Sequence, residues 1–340
     1  MKSSLTLKER LQDRFRGAIL GAAVGSALGF PHSGSSRIFM RALGNEAVDG
    51  YVRHRSGYFP AGQHGAAVQL LSLASRSIAK EGMIRESSIV EEWIPLWREN
   101  RMIERLNDVD GAMSRWLRQG SSARGCACPP GEDGASALIC SLLVGLWCHD
   151  SPEELNENID RLTSITHEDP KVRAVNAAMA TVIAHCLTHH EIVLGEVLDS
   201  AANAADRIDS LVADSIQVIP GMLTLNEKDA FLQLASVGDD GSESPDRIGI
   251  EPRSLPVFML ALYSWFRDPS SPRSVLLSCL QSGGAVQLTA ALGGALAGAC
   301  CGESGLPSDL VSGLLDEDEL RLDADQLYDR QQLERRRRDL

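Results

Sequence analysis

The sequence predicts an all-α protein, and three observations carry that reading. Apolar residues recur at helical spacing almost throughout, alternating strand patterns are scarce, and conventional helix stops and starts stand where the periodic runs end. Leu70, Leu71, Leu73, Ala74 and Ile78 follow one face of a first helix, and Leu138, Ile139, Leu142, Leu143 and Leu146 follow one face of a second. Ala174, Ala177, Ala178, Thr181, Val182 and His185 trace a third. Gly82 and Gly195 read as stops, and Pro170 suits the first turn of the helix that follows it. Near the C-terminal end, ten of the sixteen residues from Gly283 to Gly298 are glycine or alanine. A helix with so small a face can lie very close to a neighbour, and Gly284, Ala291, Gly294, Ala295 and Gly298 are its expected contact residues.

Composition narrows the class. With 340 residues, 44% hydrophobic and 23% charged, the chain can bury a sizeable core and is not expected to be disordered. The formal net charge of -13 would repel a polyphosphate backbone, so neither a nucleic-acid groove nor a nucleic-acid partner is expected. The basic run Arg335 to Arg338 reads as a solvated helix end. No apolar run reaches the roughly 18 residues of a membrane span, and the charged start MKSSLTLKERLQDRF has no leader-like apolar stretch, so a soluble, cytoplasmic protein without membrane partners is expected. Eight cysteines without a CxxC pair fit reduced thiols, and Cys126-Ala-Cys128 alone is a weak metal signal.

No strong linker divides the chain, although residues 120–134 and 238–252 are rich in loop-forming types. The expected organisation is a short arm over residues 1–12, one domain over 13–328 and a charged tail over 329–340.

Three separated stretches carry a resemblance: DRFRGAILGAAVGSALGFP from Asp13, AGQHGAAVQLLSLASRSIAKEG from Ala61, and LQSGGAVQLTAALGGALAGACCGESGLP from Leu280. In order and spacing they resemble the ADP-ribosylglycohydrolase family, with weaker support from GASALICSLLVGL, ITHEDP and SLPVFMLALYSWF. The resemblance implies a compact orthogonal bundle of a dozen or so helices, with a central cleft where two magnesium ions orient an ADP-ribosyl group for attack by water.

Position by position, the resemblance also implies that this chemistry is missing. Where the family writes T-D-D-T, this chain has Gly65, Ala66, Ala67 and Val68; where it writes D-T-D-T, the chain has Ala285, Val286, Gln287 and Leu288. A magnesium pair needs carboxylate oxygens, and these segments offer one neutral amide. The family's first-turn carboxylates correspond to Ser26 and to the neighbourhood of His32 and Ser33, and its Asn and Arg correspond to Ala135 and Cys140. His167 is the matching motif residue with polar chemistry.

No cofactor and no metal is therefore expected, and the positions named above are those of a remnant cleft, which Ala and Val in place of charged ligands leave either as a dry pocket or collapsed. The leading expectation is a pseudoenzyme that binds an ADP-ribose-like nucleotide or a protein partner. One alternative is a glycohydrolase with a metal-independent or relocated-metal mechanism, drawing on loop carboxylates such as Glu132, Asp133, Glu168, Asp169, Asp239 and Asp240 or on a metal held by His32, His54 and His64. Another is a structural helical subunit. The segment PHSGSS, Pro31 to Ser36, looks like a phosphate-cradling loop but lacks the lysine and spacing of a P-loop.

Overall fold

The first helix starts where Thr6 and Glu9 form a capping box, with each side chain satisfying the other's backbone N–H. It runs unbroken through Leu7–Gly29 because no β-branched cluster or proline interrupts it. In this computed structural model, which describes residues 6–120, 133–136, 138–189, 191–238 and 248–338, the architecture is all-α. Among the described residues, β pairing is confined to two isolated bridges, Gly134 with Arg253 and Ile250 with Gly284.

In chain order the helices are α1 (Leu7–Gly29), α2 (Arg37–Leu43), α3 (Ala66–Glu81), α4 (Glu86–Arg98), α5 (Asn107–Gln119), α6 (Leu138–Trp147), α7 (Pro152–Thr163), α8 (Pro170–Thr188) and α9 (Leu194–Asp206). There follow α10 (Ser210–Gln217), α11 (Ile219–Thr224), α12 (Glu227–Ala235), α13 (Ser254–Arg267), α14 (Pro272–Leu280), α15 (Val286–Cys301), α16 (Ser308–Val311) and α17 (Glu317–Arg338). The three periodic runs read from sequence fall in α3, α6 and α8. Their stops are physical: Gly82 takes the left-handed conformation after α3 at φ 74°, and Pro170 opens α8 behind an Asp169 cap. Gly195 is a correction. It lies in the first turn of α9 rather than after a helix, since α8 has already ended at Thr188 and open space around Gly195 imposes nothing on it.

The centre of the fold is the antiparallel pair α1 and α15. Gly17, Gly21 and Gly25 recur every fourth residue on one face of α1 and meet Gly298, Gly294 and Ala290 of α15 in turn; Gly29 meets Gln287. A Cβ at any of these α1 positions would collide with the opposite backbone, so the two helices touch main chain to main chain. The small residues of α15 are thus a packing device, but the contact set differs from the expected one: Gly293 faces Cys279 of α14, and Gly284 lies before the helix at φ 67°, against Ile250. Around this pair, α6, α8 and α13 bury nearly all their apolar side chains.

The chain's last long helix is fixed by polar contacts. Asp323 of α17, almost fully buried, accepts hydrogen bonds from Ser72 Oγ at 2.6 Å and Arg76 Nε at 2.7 Å on α3. Its basic end docks on the α6–α7 region, with Arg335 3.0 Å from Asp150 and Arg338 2.5 Å from Glu154. No described helix is long and apolar enough to cross a membrane.

Candidate functional site

The N-terminal ends of α3 and α15 converge, and neither carries a side-chain cap: Gly65 precedes α3 and Ala285 precedes α15. The free N–H groups there need acceptors, and the acceptor for Ala66 comes from a loop. Gln69 Oε1, one turn into α3, accepts the Ile103 N–H at 2.8 Å and holds the α4–α5 connection across the helix end. That connection carries Glu104, whose carboxylate accepts from the Ala66 N–H and, at 2.5 Å, from Gln287 Nε2. Burial pushes the Glu104 carboxyl above the ordinary carboxylate range, against smaller downward pulls from these two donors.

Gly65 makes room for this pair. A Cβ there would run into Gln287 Nε2 and the Glu104 carboxylate, so the bare backbone at 65 and the long amide at 287 belong together. The Gly65 N–H is itself satisfied by Ser26 Oγ at 3.1 Å, which ties α1 to the same corner.

In front of the pair lies a pocket of about 470 Å³ bordered by Ser33, Glu104, Asp108, Ala285, Gln287 and Leu288. Arg105 and Ser136 also border it. Asp108 accepts from the Ser136 N–H at 3.0 Å and stands 3.7 Å from His167 Nε2. His167 is fully buried, with Nδ1 2.9 Å from Thr166 Oγ1, so it backs the pocket wall through Asp108 rather than facing the opening.

The structure thus brings together most of the positions singled out from sequence. Ser26, Gly65 and Ala66 form the corner; Ala67, Val68 and Val286 are buried behind it; Ser33, Ala285, Gln287 and Leu288 face the pocket. Ala135 is buried at the rim, where its N–H donates to the Pro252 carbonyl at 3.1 Å. Cys140 lies elsewhere, on a small void of about 10 Å³ beside Asn176, its thiol pushed up to about 12 by burial.

The three N-terminal histidines are not gathered. His54 stacks on Phe30 at 4.5 Å, His32 lies 6.1 Å from Phe39, and buried His64 sits 3.8 Å from Asp316. Burial lowers the pKa of all three. The Pro31–Ser36 loop has committed its amides: Gly34 N–H donates to Gly284 O and Ser35 N–H to His32 O. Asp133 sits 3.5 Å from Lys171, Asp169 caps α8, and Glu168 is half-buried beside it. Cys126, Cys128, Glu132, Asp239 and Asp240 lie outside the described residues.

The magnesium pair implied by the resemblance does not fit this donor set. Among the described residues, one carboxylate stands between the two helix starts, already holding two N–H donors, with an amide that turns its NH2 toward it. Among the described residues, no group of three or more His, Cys, Asp or Glu is placed to hold a metal ion. Sequence reasoning missed Glu104. The stretch Asn100 to Asp108 shows no motif, and only the fold lays it over α3.

The sequence profile of the ADP-ribosylglycohydrolase family matches residues 7–337. An uncharacterized protein of Archaeoglobus fulgidus is 24% identical over 325 residues, covering 94% of this chain and 97% of that protein. A solved ADP-ribosylglycohydrolase-related protein complex superposes with a TM-score of 0.74 at 17% identity, covering 94% of this chain and 99% of that one; at this identity the likeness speaks for the fold.

Proposed function

As this chain belongs to the ADP-ribosylglycohydrolase family, we propose that it is a non-hydrolytic member, a pseudoenzyme that binds an ADP-ribose-like nucleotide in the pocket before α3 and α15. The observation that carries this reading is the Glu104–Gln287 hydrogen bond, which fills the space between the two helix starts with a carboxylate and an amide. The pocket beyond stays open at about 470 Å³, within the range of small-molecule sites. The uncapped start of α15 and the Arg105 side chain border it and suit a diphosphate. The free cysteines suit a reducing, cytoplasmic setting.

Calorimetric titration of ADP-ribose, with and without magnesium, tests the proposal. Binding that is indifferent to magnesium is expected. Magnesium-dependent release of ADP-ribose from a modified protein would overturn it.

A second reading, metal-independent glycoside cleavage, draws on one observation: Glu104 and Asp108 both border the pocket, and Glu104 has the raised pKa of a general acid. Release of ADP-ribose in the presence of a chelator, lost in Glu104→Gln, separates it from the first. A protein partner in place of the nucleotide would leave the titration flat.

A further inference from the structure

A second pocket, of about 320 Å³, lies at the other end of α1 from the cleft, between α7, α8, α9 and the end of α6. Its apolar walls include Leu155, Ala184 and Ala204, and its polar lining includes His149, His185, His189 and Arg207. Among the described residues lining it there is no aspartate or glutamate, in a chain whose net charge is -13.

His185 and His189, one turn apart at the end of α8, stack with ring centroids 3.8 Å apart and planes 8° from parallel. His189 Nδ1 is 3.2 Å from the His185 carbonyl and 3.0 Å from Thr188 Oγ1, which leaves its Nε2 for other partners. His185 is only 7% exposed, and its buried Nε2 has no hydrogen-bond partner among the described residues. A native buried ring nitrogen in that state calls for a partner that these residues do not supply. His149 commits Nδ1 to the Leu146 carbonyl at 2.8 Å.

We propose that this pocket is a second binding site, for a small organic anion whose carboxylate or phosphate is received by Arg207 and the stacked His185–His189 pair while its apolar body lies on Leu155, Ala184 and Ala204. Burial lowers the pKa of His185, and the neighbouring His189 lowers it further. A bound anion relieves both penalties, so binding takes up a proton and tightens toward acid. The charged groups around the pair are Glu196 on α9, Arg207 after it, and Arg14 of α1, whose guanidinium donates to the Cys186 and His189 carbonyls; His149 is faced by Asp150 and by Arg335 of α17.

Histidine ring NMR signals, followed during titration with benzoate, phenyl phosphate and neutral benzyl alcohol, test the site; the two anions tell a carboxylate site from a phosphate site. At least one anion is expected to shift the His185 and His189 signals, binding about tenfold more weakly near pH 8 than near pH 6. Arg207 is exposed, so Arg207→Gln should fold normally and weaken the anion about tenfold. His185→Gln, which keeps a polar side chain at the buried position, should weaken binding and flatten its pH dependence. The proposal fails if neither anion moves these signals, if benzyl alcohol binds as tightly, or if both folded variants bind like the parent. ADP-ribose titration of Arg207→Gln should be unchanged, which separates this site from the cleft.

Discussion

Glu104 and Gln287, 183 residues apart in sequence, are joined by a 2.5 Å hydrogen bond at the point where two helices begin. The carboxylate also serves as the missing cap of α3 through the Ala66 N–H. Glu104→Ala should therefore strand two buried donors and cost about 1 to 3 kcal/mol in urea unfolding. A variant as stable as the parent would mean that water replaces the carboxylate without loss.

The same residue sets a pH dependence. Burial holds its folded-state pKa above the unfolded value, so proton binding favours the folded chain. This contribution is complete below the unfolded carboxylate pKa and is lost as pH rises toward the folded one. Relative to Glu104→Gln, the parent should lose stability as pH climbs from about 4 toward neutrality, read from unfolding midpoints at several pH values. A constant difference between the two proteins would contradict it.

Gly65 and Gln287 should be coupled. Gly65→Thr places a side chain where the amide and Glu104 stand, and should destabilise the chain by about 1 to 3 kcal/mol. In a Gln287→Ala background the cost should fall, giving a coupling of about 0.5 to 3 kcal/mol in a double-mutant cycle. Additive effects would mean that the amide moves aside freely.

Gly21→Ala should be among the most damaging small changes in the protein. Its methyl group would strike the Gly294 carbonyl, and neither backbone can yield, so a loss of about 3 kcal/mol or more in thermal or urea unfolding is expected. Gly195→Ala is the control: no described residue has an atom within 4 Å of the added carbon in α9, and a gain of about 0.5 to 1 kcal/mol is expected.

Arg76→Met should remove the charge partner of Asp323, whose carboxyl burial already pushes upward. Arg76 is itself partly exposed, so the loss should be about 2 to 3 kcal/mol, below that of a fully buried pair. Proteolysis at the α17 end, quicker than in the parent, would report the loosened helix.

The helices were legible because burial imposes a period on sequence: α3, α6 and α8 announce themselves through Leu70 to Ile78, Leu138 to Leu146 and Ala174 to His185. The small face of α15 was legible too, but its partner was not, although Gly17, Gly21, Gly25 and Gly29 repeat at intervals of four in plain view. Such a repeat names a face without naming what it touches. At the site, the absence of carboxylates at 66, 67, 285 and 287 could be read directly from side-chain types. Glu104 could not, because its role comes from a loop crossing that no local pattern encodes. His185 was read as one more core-facing position of α8, and only the fold brings Arg207 to the same pocket.

The glycine contact between α1 and α15 has a mechanical consequence. Helices separated by side chains can slide as rotamers exchange, whereas two main chains in direct touch have nothing between them to shear. One end of this rod borders the cleft through Gly29 and Gln287, and the other reaches the histidine pocket through Arg14. A rod that cannot slip offers no second arrangement for a ligand to select, so occupancy of either pocket should leave affinity at the other unaltered.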